Sequence, residues 1–140
     1  MKAHLTRRYW FSASHRLHSD AMSEDENLRT YGKCNNPHGH GHNYALEVTV
    51  GGQVDAATGM ICDLVELDRF VEHNVLETFG HEHLNVLPQF RHRVPTTENL
   101  CVEIYDIMKD GFAAAEVEKV RLEETAQNSF EYAGGAAIQR

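Results

Sequence analysis

Residues 40–52, HGHNYALEVTVGG, constrain the fold more tightly than any other stretch of the chain. Tyr44, Leu46, Val48 and Val50 alternate with polar or small neighbours, the period of a β-strand with one buried face. Gly51-Gly52 then predicts a closing turn. The same period opens the chain: in HLTRRYWFSASHRL, Leu5, Arg7, Tyr9 and Phe11 share one parity and predict a strand that runs into His15. Between these strands, Ser23 with Glu26 forms a capping-box pattern and Gly32 supplies a stop, so a short helix is expected over 24–31. VDAATGMICDL predicts a turn leading to a second short strand.

At Asp63 the period changes. Asp63 and Glu66 make another capping pair, and Leu64, Leu67, Phe70, Val71 and Val75 form one apolar stripe through about residue 78. Pro88 and Pro95 bracket an irregular stretch. Thr96 or Thr97 caps a second long helix that buries Leu100, Ile104, Ile107, Met108 and Phe112. VEKVRLEET and SFEYA predict two final strands, and the Gly-rich end, AGGAAIQR, is expected to fray. Strands and helices that do not alternate one by one point to an α+β fold with an antiparallel sheet.

A chain of 140 residues is the size of one domain, here 1–140. The N-terminus is basic but has no apolar stretch behind it, and no segment reads as a membrane span, which favours the cytoplasm. Three widely spaced cysteines, Cys34, Cys62 and Cys101, fit no disulfide framework. A net charge of −8 argues against nucleic-acid or anionic-membrane partners. An anionic small substrate stays compatible with it, because that needs only a local cationic pocket.

The chemistry concentrates in GKCNNPHGHGHNY, residues 32–44. On an extended segment His40 and His42 point to one face, so both can reach one ion at about 2.0–2.1 Å from each nitrogen. His15, at the end of a strand able to pair beside 43–51, is the leading third ligand. His38 is the alternative, disfavoured by the loop that Pro37 and Gly39 suggest. Three neutral imidazoles with an open fourth position describe a catalytic zinc, against the plainer reading of an exposed polar loop. A thiol beside a cation and imidazoles can act as base or nucleophile, and the polar flanks of Cys34 set it apart from Cys62 and Cys101, which read as small core residues. His81 and His83 in GHEHLN are acid/base candidates or solvent-exposed. Glu98 occupies the first turn of a helix, where a carboxylate is favoured anyway. Glu123 and Glu124 lie on opposite strand faces, and the inward one needs a partner, such as a ligand's N–H edge.

FSASHRL, ENLRTYGKCNNPHGHGHNY, VDAATGMICDL, HLN, PTTEN and EET, in this order from about residue 9 to 125, resemble the 6-pyruvoyltetrahydropterin synthase family. The related 6-carboxytetrahydropterin synthases of queuosine biosynthesis share its fold and histidines, but the spacing from Cys34 to His40 is closer to the pyruvoyl enzymes. The resemblance implies a tunnelling fold: a four-stranded antiparallel sheet with two helices on one face, assembled through barrels into a homo-hexamer of two trimers. It implies a zinc-dependent carbon–oxygen lyase that converts 7,8-dihydroneopterin triphosphate to 6-pyruvoyltetrahydropterin and triphosphate. His15, His40 and His42 would hold Zn2+, Cys34 would be the general base and His81 the catalytic histidine. Glu124 would anchor the pterin, helped by Glu98 and Thr97. One position departs: the family usually has Asp immediately before that histidine, where this chain has Gly80. The rival readings are the 6-carboxy reaction, a non-catalytic pterin- or metal-binding protein, and a metal-independent cysteine hydrolase.

Overall fold

The N-terminal alternation forms β1 (Lys2–His15) and HGHNYALEVTVGG forms β2 (His40–Gln53) in the computed structural model, which describes residues 1–135. The expectation for the last residues, 136–140, lies outside that range. β1 and β2 pair antiparallel along their whole length, from Lys2 opposite Gln53 to His15 opposite His40. β3 (Glu116–Thr125) and β4 (Asn128–Tyr132) extend the sheet in the order β1-β2-β3-β4, all neighbours antiparallel.

One sheet face is apolar: Phe11, Tyr44, Leu46, Val48, Val120 and Leu122 are buried there. Two helical segments cover it. α2 (Leu64–Val71) runs through a π turn, Glu72–Leu76, into a last α-helical turn, α3 (Glu77–Phe79), and buries Leu67, Val71, Val75 and Phe79. α4 (Thr97–Gly111) buries Leu100, Ile104 and Met108. Its N-cap is Thr96, whose hydroxyl accepts from the Asn99 N–H. The opposite sheet face is charged. Glu47 bridges Arg8 and Arg121 at 3.1 and 3.0 Å, and Trp10 stands 66% exposed among these pairs. The short helix α1 (Glu24–Tyr31) has the full reciprocal capping box of Ser23 and Glu26, and it stops at Gly32, whose φ is 55°.

Three local expectations are corrected. Gly51 and Gly52 do not turn; they stay in the ladder opposite His4 and Ala3. Glycine is needed at 52 for close approach, since a Cβ there would meet the Ile61 side chain at 2.9 Å. No second short strand forms within residues 54–63. The Asp55 carboxylate instead accepts from the N–H groups of Ala57 and Thr58, and its own N–H donates to the Met60 carbonyl, folding the segment into a tight turn. Asp63 caps α2 by accepting from the Val65 N–H, without a reciprocal bond from Glu66.

Candidate metal centre and substrate site

The ladder register brings the predicted ligands together. His15 and His40 are the terminal pair, and His42 lies opposite Ala13, so all three rings share the apolar face. Their ring centroids are 4.6, 5.1 and 4.8 Å apart, and one nitrogen from each lies within 4.8 Å of the others. His38 is exposed and outside the group. His15 Nδ1 is 2.7 Å from the Pro95 carbonyl oxygen, to which only an N–H can donate, so Nε2 keeps its lone pair. That Nε2 lies 3.1 Å from His40 Nε2. Two nitrogens on one tetrahedral ion, each about 2.0–2.1 Å away, sit about 3.3 Å apart. The His15–His40 pair is already at that spacing, and His42, within 4.8 Å, completes a set of three nitrogens that could hold a divalent ion.

Electrostatics favour the ligating form. Burial drives the pKa of His15 down to about 4, against the Pro95 bond, and the neighbouring His40 and His42 lower it further. His40 is also lowered, by burial first and then by His42. Both imidazoles are thus neutral near pH 7, as metal ligands must be.

Beside the histidines, Glu124 is the inward member of its pair. Its side chain is 17% exposed, against 43% for Glu123, which faces Arg121 on the charged side. Thr97 Oγ1 donates to the Glu124 carboxylate, Asn128 donates to its other oxygen at 3.3 Å, and His42 Nε2 lies 3.8 Å away. Tyr44 is fully buried between Phe11 and His42. Burial, and then the Glu124 carboxylate, push its hydroxyl pKa up. Glu98, in the first turn of α4, is exposed, and its side chain makes no hydrogen bond among the described residues.

His81 lies along the free edge of β1. Its N–H donates to the Ser12 carbonyl at 2.6 Å, and the Ser14 N–H donates to Glu82, so residues 81–83 cover the free edge of β1. His81 has a φ of 60° and lines, with His42, Ser12 and Asn43, an open groove of about 340 Å³. His83 turns away and pairs with the Ser14 hydroxyl at 2.9 Å. Cys34 is half-buried in a 3-10 turn, Gly32–Asn35; its carbonyl accepts from the Leu17 N–H at 2.8 Å. Within one chain no hydrogen bond joins Cys34 to His81 among the described residues, and Cys34 does not line the groove. Cys101 is buried as expected, its thiol pushed up to about 12 by burial; Cys62 is only half-buried.

Gly80 has a structural reason. Its N–H donates to the Leu76 carbonyl at 2.8 Å, closing the helix, and a Cβ at this position would lie 2.5 Å from that same oxygen. No side chain fits position 80 without moving the backbone.

Residues 4–135 match the family model described as 6-pyruvoyl tetrahydropterin synthase. The chain belongs to that family. It is 43% identical over 134 residues to the human 6-pyruvoyl tetrahydrobiopterin synthase, covering 95% of this chain and 92% of that one. The structure of the Caenorhabditis elegans 6-pyruvoyl tetrahydropterin synthase superposes with a TM-score of 0.92 at 39% identity, over 96% of this chain and 97% of that one. A putative 6-carboxy-5,6,7,8-tetrahydropterin synthase of Archaeoglobus fulgidus is 31% identical over 106 residues, 76% of this chain and 84% of its own. Membership of the synthase family makes this chain an enzyme.

Reading the sequence missed the supporting contacts in this family member. The Pro95 carbonyl, which fixes the tautomer of His15, has no signal beyond its place before TTEN, because a main-chain acceptor carries no side-chain signature. Asn85, whose side chain clamps both backbone groups of Arg16, was legible only as part of HLN.

Proposed function

We propose that the chain is a zinc-dependent carbon–oxygen lyase that converts 7,8-dihydroneopterin triphosphate to 6-pyruvoyltetrahydropterin with release of triphosphate. The observation that carries the reading is the convergence of His15, His40 and His42 beside the inward Glu124. Zinc held by these imidazoles would supply a Lewis acid for the substrate's side-chain hydroxyls. The Glu124 carboxylate, fixed by Thr97, accepts from the N–H edge of the pterin and sets its distance from the histidines. The exposed carboxylate of Glu98 completes the contact with the ring. Cys34 takes the carbon-bound side-chain proton and His81 passes a proton at the groove. The balance is internal: the side-chain carbons are oxidised as the dihydro ring is reduced, and triphosphate leaves with the bonding pair.

Among the described residues of one chain no hydrogen bond joins Cys34 to His81 and Cys34 does not line the His81 groove, which supports a site completed between subunits of a homo-hexamer built from two trimers. The exposed Trp10 on the charged sheet face supports burial of that face in such a barrel. The three free cysteines support action in the reducing cytoplasm.

Incubating the zinc-loaded protein with dihydroneopterin triphosphate and weighing the product tests the reading. A product retaining all three side-chain carbons, with stoichiometric triphosphate, supports it. Release of a two-carbon aldehyde would establish the second reading, a 6-carboxytetrahydropterin synthase of queuosine biosynthesis, which the likeness to the Archaeoglobus protein favours. Binding of the pterin without triphosphate release would leave a non-catalytic binder, the reading that Gly80 raised.

A further inference from the structure

A second cavity, of about 400 Å³, lies behind the metal centre and shares a wall with it. Arg16 follows the ligand His15 directly, and Pro95, whose carbonyl holds that ligand, forms another part of the lining. Residues 18–21 and Asn85 add to the lining, and the rest comes from the irregular stretch FRHRV, residues 90–94, which the pterin and metal contacts leave unexplained.

The cavity's charge runs against that of the whole chain. Arg16, Arg91 and Arg93 line it with His18 and His92, and the sole lining carboxylate is Asp20, whose side chain is fully exposed. The protein otherwise carries a net charge of −8. Arg16 is held at three points: Asn85 accepts from its N–H and donates to its carbonyl, both at 2.8 Å, while its Nε donates to the Asn35 carbonyl at 3.1 Å. That leaves its terminal guanidinium nitrogens unpaired with any carboxylate among the described residues. Arg91 likewise has no acidic partner there, and Arg93 meets Glu103 only at 3.7 Å. Phe90, 4% exposed, adds a buried apolar side chain to the lining.

The geometry points to a polyphosphate-binding site in this cleft. Three arginines on one cleft, Arg16, Arg91 and Arg93, match a chain of phosphate oxygens, which accept several charge-assisted bonds at once. The volume falls in the range of ligand pockets. The inference rests on the reading of the substrate as a triphosphate ester, because that chemistry brings a polyphosphate to the neighbouring centre. The ligand would be either the substrate's own tail or free polyphosphate, such as the released product.

Calorimetric titration of the metal-loaded protein with inorganic tripolyphosphate tests the site without turnover. Arg91→Gln should weaken binding about tenfold, and adding Arg93→Gln should weaken it by about another tenfold, the loss of one charge-assisted bond each. Wild-type affinity should fall with added NaCl. Arg69→Gln, an exposed arginine on α2 that lines no cavity described above, should bind as wild type. A raised KM for dihydroneopterin triphosphate in the double variant, with unchanged binding of unphosphorylated dihydroneopterin, would identify the ligand as the substrate's tail. Tripolyphosphate binding lost with an unchanged KM would identify a separate site for free polyphosphate. Tripolyphosphate affinity unaltered by the double variant, or absent from the wild type, overturns the proposal. Tripolyphosphate binding that depends on these arginines in a protein that never releases triphosphate would keep the cleft and remove the lyase reading instead.

Discussion

Replacing Gly80 with alanine tests whether the backbone, and not merely drift in sequence, excludes the family's usual aspartate. The φ of Gly80 is −64°, so an L-residue meets no conformational strain there. The penalty is steric: the new methyl group would sit 2.5 Å from the Leu76 oxygen, which already accepts the Gly80 N–H at 2.8 Å. Relief requires the chain to swing outward, and overpacking of this kind costs about 1–3 kcal/mol. Losing the closing hydrogen bond adds about 1 kcal/mol, and the stiffer unfolded chain returns up to about 1 kcal/mol. A net destabilisation of about 1–3 kcal/mol is expected, which for a chain of this length lowers Tm by roughly 3–10 °C. Differential scanning calorimetry of the metal-loaded protein reads it. Gly80→Asp should fall at least as far and should not raise kcat/KM, because the added carboxylate arrives on a displaced backbone. An alanine variant as stable as wild type, or an aspartate variant that keeps its Tm and gains activity, would refute the steric argument.

Burial keeps His15 neutral down to about pH 4, below the usual 6.5. Between those values the unfolded chain binds more protons, so the contribution is complete above about pH 6.5 and is lost as pH falls towards 4. For the metal-free protein this amounts to roughly 3 kcal/mol, read from urea melts at pH 7 and 4.5, and His15→Asn should flatten the slope. Glu124→Gln should weaken binding of unphosphorylated dihydroneopterin about ten- to a hundredfold, and Thr97→Val should do so less, since it frees the carboxylate without neutralising it. Fluorescence titration measures both, and equal losses would count against the anchoring role. Cys34→Ala should cut kcat by about 10²–10⁴ with zinc content unchanged by elemental analysis; retained turnover would remove Cys34 from the proton transfer.

What the sequence made legible is whatever a local period or a short spacing encodes. The strands at Leu5–Phe11 and Tyr44–Val50, the capping box at Ser23 and the stripe from Leu64 to Val75 all carry their own pattern, and all appear where expected. The errors fall where two local signals compete. Gly51-Gly52 reads as a turn until Ile61, nine residues further on, proves to pack over Gly52. The strand period left the choice between Glu123 and Glu124 open and only the family resemblance picked Glu124, since the inward choice depends on Thr97 arriving from another element.

The histidine cluster was legible because its geometry depends on the same register as the core. Phe11 pairs with Tyr44, and the same run of pairs ends at His15 and His40. A slip of one residue in this ladder would turn Tyr44, Leu46 and Val48 to the charged face and carry His40 and His42 with them. Burial of those apolar side chains therefore selects the one register in which three imidazoles converge. The ligands themselves contribute little to that choice, so metal removal should leave the β1–β2 pairing intact while the Pro95 carbonyl continues to hold His15 in its ligating tautomer.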